Sequence, residues 1–343
     1  MKTTSKRTVL FILALIAMMA PILGACNTGG SGGNSGGNSG TETKTYKVGV
    51  IQYVSHPALD NCYNGIEQSL KNSPLGSSIT IERQVGSSSS PDSDCDTYAK
   101  NMVAQGMDVI IAIATPAAYT AFSATEDTEI PVVFSAVTDP VAAELVQSNE
   151  EPGVLCTGTS DVLNMEAQVD LIQAMMPQAK IIGVLYTTSE PNSISQLEDL
   201  KAVASARGLT IESTGIQNDA DIPAAATALA AKVDCIDNFT DNKIVSNLPI
   251  LLEAAANAGI PVFGSEIEQV RNGCLAAVSI DYVALGVETG EMVLDILQGA
   301  DAAKMAVRTI SDADPVINLD VLEALEMEIP EAYADAETLR TGE

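Results

Sequence analysis

The sequence predicts an α/β fold of two Rossmann-like lobes, each built on a parallel central sheet and joined through a hinge. Three observations carry this. From Tyr46 onward, short β-branched runs alternate with Ala-rich helical stretches, the signature of βαβ units and parallel sheets. The alternation is written twice, with matching details in the same order. The chain is also long enough, at 343 residues with 46% apolar side chains, to bury two ordinary cores.

The first set of strands is expected at 46–52, 80–84, 109–114 and 132–135, with helices at 58–72 and 96–105. The second set is expected at 181–186, 210–213, 235–238 and 262–264, with helices at 193–207 and 222–232. Lys47-Val48-Gly49-Val50-Ile51 corresponds to Ile181-Ile182-Gly183-Val184-Leu185, and Ser55-His56-Pro57 follows at the same offset as Ser189-Glu190-Pro191. Gly106-Met107-Asp108-Val109-Ile110 has its counterpart in Ala231-Lys232-Val233-Asp234-Cys235, and Ile130-Pro131-Val132-Val133-Phe134 in Ile260-Pro261-Val262-Phe263. Beyond residue 275 a helix at about 282–298 and strands at 307–310 and 316–319 are too little for a third domain. They suffice to return to the first lobe and then to the second, which makes both lobes discontinuous.

The N-terminus belongs to targeting. Lys2, Lys6 and Arg7 precede an apolar run over 9–23, shorter than the roughly 20 residues a spanning helix needs. It ends in Leu23-Gly24-Ala25-Cys26, which resembles the lipobox of bacterial lipoproteins, so 1–25 is expected as a signal peptide and Cys26 as the lipidated residue. Residues 27–40 are almost entirely Gly, Ser and Asn, and 26–43 form a flexible tether with an r.m.s. reach of roughly 20–24 Å. The protein is expected to sit on the extracytoplasmic side of the cell membrane, held by lipid.

The net charge of −28 becomes −31 once residues 1–25, with three basic and no acidic side chains, are removed. A polyanion repels phosphate backbones, which excludes nucleic acid as a partner. Five cysteines remain after Cys26: Cys62, Cys95, Cys156, Cys235 and Cys274. They form no CxxC pair, so zinc and thioredoxin-like sites are not expected, and core thiols are favoured over a Cys62–Cys95 disulfide.

In open parallel sheets, ligands meet the loops at the carboxyl ends of strands. Here those loops place a polar residue and then Pro at the expected start of a helix: Ser55-His56-Pro57, Thr115-Pro116, Asp139-Pro140 and Glu190-Pro191. Several helix N-termini converging on one cleft would bind a carboxylate without Arg or Lys. Nearby acids, Asp60, Asp139, Asp161, Glu190, Asp241, Glu266 and Asp281, suit a ligand ammonium, with Asp241 and Asp281 favoured. Tyr53 and Tyr186 end the leading strands of the two lobes and offer faces for an aromatic group in a chain without Trp. His56 is the single histidine, and no nucleophile elbow, phosphate loop or dinucleotide fingerprint occurs, so an enzyme is not expected. No cofactor or metal is expected either.

At these loops the chain resembles the substrate-binding lipoproteins of ABC importers, of the tryptophan/tyrosine-type group. The resemblance rests on His56-Pro57-Ala58-Leu59-Asp60, Ala112-Ile113-Ala114-Thr115-Pro116-Ala117, the distinctive segment 137–143, Gly158-Thr159-Ser160-Asp161, Ser189-Glu190-Pro191-Asn192-Ser193, Thr240-Asp241-Asn242 and Asp281-Tyr282. It implies the type I periplasmic-binding-protein fold with three crossings. Lobe 1 is then 44–157 plus about 281–305, and lobe 2 is 158–280 plus about 306–335. It implies an aromatic amino acid as ligand and an ABC permease and ATPase as partners, with the binding protein itself expected to be a monomer. By resemblance the cleft is lined by Ser55, His56, Asp60, Thr115, Ala117, Thr138, Asp139, Ser160, Asp161, Glu190, Asn192, Ser193, Asp241, Asn242 and Asp281. A receptor for a neutral nucleoside, sugar or peptide fragment is the alternative, followed by a sensory lobe or a surface enzyme acting through His56.

Overall fold

The computed structural model describes residues 44–310 and 314–342; the expected signal peptide, Cys26 and the expected tether lie outside them. The first lobe opens with β1 (Tyr46–Gln52), α1 (Pro57–Asn72), β2 (Ile79–Val85), α2 (Pro91–Gln105), β3 (Val109–Ile113), α3 (Thr115–Thr125), β4 (Val132–Ser135) and β5 (Cys156–Ser160). The second contains α4 (Met165–Met175), β6 (Ile181–Thr187), α5 (Pro191–Ala206), β7 (Thr210–Ile216), α6 (Ile222–Ala230) and β8 (Cys235–Asp237). It continues through α7 (Asn242–Ser246), α8 (Leu248–Ala258), β9 (Val262–Phe263), α9 (Ile267–Arg271) and β10 (Ala276–Ser279). The chain returns to the first lobe with α10 (Tyr282–Leu297) and β11 (Arg308–Thr309), then to the second with β12 (Asp314–Asn318), α11 (Leu319–Ala324) and β13 (Glu337–Leu339).

The first sheet has the order β11-β5-β4-β3-β1-β2, with every pair parallel. The second runs β7-β6-β8-β9, also parallel. It continues into β10-β12-β13 through Leu275 N to Val262 O at 2.7 Å and Gly264 N to Ala276 O at 2.9 Å, and there β12 runs antiparallel to β10. Helices cover both faces, which is why β3 and β4 are buried at every position and read as unbroken apolar runs. Val50, Ile111 and Phe134 anchor the first core, while Ile172 with Phe263 and Leu229 with Leu251 fill opposite faces of the second.

Among the described residues, 161–164 after β5 and 280–281 after β10 cross between the lobes, and the successive strands β11 and β12 belong to different sheets. Backbone pairing carries the first sheet to Ser160 and includes Arg308–Thr309. The second crossing is tied down by α10 lying directly on α1. A methyl on Gly65 would meet the Val283 carbonyl, and one on Gly286 would meet the Cys62 carbonyl. Backbone touches backbone there, so any larger side chain forces the helices apart.

Proline opens α1, α3 and α5 as expected. Asp139-Pro140 does not open a helix. Asp139 Oδ1 accepts from Ala142 N and Pro140 O accepts from Leu145 N, but Glu144 turns left-handed at φ 59°, which stops helical propagation after one turn. The five described cysteines are free and buried, as core thiols. No helix among the described residues is long and apolar enough to cross a membrane.

Candidate functional site

The carboxyl ends of both sheets face one cavity. From the first lobe come His56 after β1, Thr115 after β3, Thr138 after β4 and Asp161 after β5. From the second come Asn192 after β6, Asn242 after β8 and Glu266 with Gln269 after β9, and Tyr282 contributes from the second crossing. The cavity is about 10 Å³, room for one water, so a larger solute enters only when the walls move apart.

The lobes grip each other around it. His56 Nε2 lies 3.3 Å from Asn242 Oδ1, and Gln196 Nε2 donates to Thr138 Oγ1 at 3.0 Å. Farther out, Ser195 Oγ donates to Asp139 Oδ2 at 3.2 Å and Asn61 Nδ2 to Glu268 Oε1 at 3.2 Å. At the hinge, Tyr282 OH donates to Asp161 Oδ2 at 2.7 Å, joining the first crossing to the second. The first four contacts bind one lobe to the other and are lost on opening, whereas the Tyr282–Asp161 bond joins the two crossings.

Three helices begin at this cavity with no side-chain cap: α1, α3 and α5. Their leading amides have no intrahelical acceptor and carry the positive end of the helix dipole. Ala114, before α3, is held at φ 80°, an unusual conformation for a non-glycine residue at the mouth of the site. Anionic groups therefore have donors waiting without any Arg or Lys.

The acids divide into occupied and available ones. Asp241 accepts from Thr187 N, Thr187 Oγ1, Ser193 Oγ and Ile244 N, which uses its four lone-pair directions. Glu190 accepts from Asn192 Nδ2, from the N and Nδ2 of Asn242, and from Lys243 N. Burial first, and then the Asp241 charge, raise the Glu190 pKa. Glu266 caps α9 through Glu268 N and Gln269 N, and burial pushes its pKa up to about 8. Asp161 receives Thr138 Oγ1 at 2.9 Å and Tyr282 OH at 2.7 Å; burial raises its pKa, and two of its acceptor directions stay unfilled by side chains. Burial lowers His56 to about 4, so the ring is neutral at pH 7. Its Nδ1 and Asn192 Oδ1 are buried without a hydrogen-bond partner among the described residues. No group of three or more His, Cys, Asp or Glu among those residues could hold a metal ion.

Residues 47–338 match the family described as ABC transporter substrate binding protein. The chain belongs to that family. It is a binding protein and not an enzyme. The Tyrosine-binding protein of Clostridioides difficile is 36% identical over 326 residues, covering 94% of this chain and 93% of that protein. A Streptococcus pneumonia ABC domain in complex with L-Trp, also 36% identical, covers 86% of this chain and all of that one, with a TM-score of 0.82. The ligand-free, open structure of a Clostridium difficile substrate binding protein with adhesive properties is again 36% identical and covers 87% of this chain and all of that one, but with a TM-score of 0.67. At equal identity the binding protein is nearer to the ligand-bound shape, in agreement with the contacts that bridge its lobes.

Of the residues expected to line the cleft, His56, Thr115, Thr138, Asp161, Asn192 and Asn242 line this cavity. Ser160, Glu190, Ser193 and Asp241 stand just behind them; Ser160 Oγ holds the Thr138 carbonyl, and Ala117 is buried inside α3. The others lie elsewhere. Ser55 is exposed and donates to Asp60, whose other oxygen pairs with Arg83 at 2.7 Å. Tyr53 donates to Asp92 and borders a separate hollow, while Tyr186 is half-buried against the second core. Asp281 is exposed and caps α10 through Val283 N and Ala284 N, so it is spent on the helix start. Gln269, Tyr282 and Thr240 line the cavity without having been in the expected ligand set. No local signal marks Gln269, whose side chain bonds Asn238, Ser265 N and the Phe239 carbonyl only once the chain is folded.

Proposed function

We propose that this protein is the lipid-anchored, extracytoplasmic receptor of an ABC importer and that its lobes close on an aromatic amino acid. One observation carries the ligand reading: a buried, partly unfilled carboxylate, Asp161, shares a small cavity with the uncapped starts of α1, α3 and α5. An α-amino acid presents the complementary pair. Its ammonium goes to Asp161 and its carboxylate to the amides at the start of α3. The Tyrosine-binding relative and the L-Trp complex support the aromatic class. The basic n-region, short apolar run and Cys26 support export and lipidation, and family membership supports partnership with a permease and an ATPase.

The test is mass spectrometry of small molecules released when the purified protein is denatured. Tyrosine or tryptophan at close to one per chain is expected. A sugar or nucleoside released at that stoichiometry overturns the reading.

A further inference from the structure

The cavity holds more hydrogen-bond acceptors than an amino acid backbone requires. Asn242 Nδ2 donates to Glu190 Oε2 at 2.6 Å, which makes Asn242 Oδ1 an acceptor. His56 Nε2, 3.3 Å from that oxygen, therefore carries the ring hydrogen, and Nδ1 is left with a lone pair. That lone pair is buried and unpartnered among the described residues. From the opposite lobe, Asn192 spends Nδ2 on Glu190 Oε2 and the Thr240 carbonyl, leaving Oδ1 unpartnered as well. A buried acceptor without a donor costs free energy, so both atoms point to a ligand that brings hydrogens.

Chemistry says which hydrogens reach His56. Asp161 follows β5 and His56 follows β1, with β4 and β3 between them. A ligand whose ammonium sits on Asp161 has spent its backbone hydrogens there, and its carboxylate brings none. The donor left for His56 Nδ1 is therefore on the ligand's side chain.

We infer that His56 Nδ1 is the specificity-determining acceptor for a donor on the ligand's side chain, a phenolic O–H or an indole N–H, and so selects against phenylalanine. This rests on the amino-acid reading above and adds to it a reason for choosing among aromatic side chains. Apolar contact alone would discriminate weakly, whereas a site built around a buried acceptor rejects the analogue lacking the hydrogen.

Calorimetric titration of the full chain with L-tyrosine, L-tryptophan and L-phenylalanine tests it. Phenylalanine is expected to bind roughly 10- to 100-fold more weakly than tyrosine, the consequence of one buried acceptor left unfilled. His56→Gln keeps an amide donor for Asn242 but removes the acceptor at the Nδ1 position. It should weaken tyrosine binding and bring the tyrosine-to-phenylalanine ratio to within about threefold of unity. His56→Asn restores an acceptor near Nδ1 and should keep the preference for tyrosine. Equal affinities for tyrosine and phenylalanine in the unmodified protein overturn the inference even if neither variant folds. So does an unchanged ratio in His56→Gln. Absence of binding by all three amino acids overturns the amino-acid reading and this inference together, whereas tight binding with no preference overturns this one alone.

Discussion

Asp161→Asn is expected to weaken amino-acid binding by at least about 100-fold, because a buried ammonium is left without its counter-charge. The substitution is nearly isosteric. Thr138 Oγ1 and Tyr282 OH, which donate to the two carboxylate oxygens, lose one acceptor at most. The ligand-free protein should melt no lower than the parent, since the variant removes a charge that burial disfavours. Calorimetry and a thermal melt of the same preparation separate the two effects. Asp241→Asn should behave in the opposite way. Its carboxylate holds Thr187, Ser193 and the first turn of α7, so the loss appears first in stability. Undiminished affinity in Asp161→Asn would remove the carboxylate from the ligand's ammonium.

The second large effect is a stability profile with an unusual slope. Burial raises Glu266 from 4.5 to about 8 and Asp237 from 3.8 to about 7, and it raises Glu190 and Asp161 in the same direction. An acid with a raised folded-state pKa contributes stability that is fully present below its unfolded value. That stability is lost as pH rises through the folded one. His56, lowered from 6.5 to about 4, acts oppositely, but only between those values, where the folded state resists protonation. From about pH 7.5 the imidazole is neutral in both states, and between pH 6 and 7.5 its opposing contribution is smaller than that of the several carboxyls acting together. The ligand-free protein should therefore melt at least about 5 °C lower at pH 8.5 than at pH 6, on the basis of a few kcal/mol spread over this many residues. Glu266→Gln should flatten the profile. A melting temperature that climbs from pH 6 to 8.5 would mean that these acids are ionised without penalty.

Much of the architecture could be read from the chain because its strands are continuous apolar runs and its helices open with Pro. β1 and β4 begin and end where expected, and α10 differs by one residue. β5 escaped because Cys156-Thr157-Gly158-Thr159-Ser160 contains no apolar run. Its hydroxyls are buried by one another and by α10, with Thr159 and Ser135 both bonded to Thr289. β10 escaped because Ala276 and Ala277 are small and carry weak strand preference. In the site, the chain order shows which loops reach the cleft but not which acid is free. Asp241 looked suited to an ammonium because it follows a strand region, and Asp281 because it stands near a crossing, but each is also the N-cap of the helix that follows. Asp161 carries no such mark. Its burial and its bond to Tyr282 depend on two crossings 121 residues apart, which only the folded chain brings together.

The central claim is that the two lobes close on an aromatic amino acid. The protein contains no Trp, so indole emission in a titration belongs to the ligand alone. Purified protein, freed of bound solutes by unfolding and refolding, should change the emission of L-tryptophan saturably at one site per chain, and L-tyrosine should reverse the change by competition. Emission that rises only in proportion to added tryptophan, with no saturation and no competition, would contradict it.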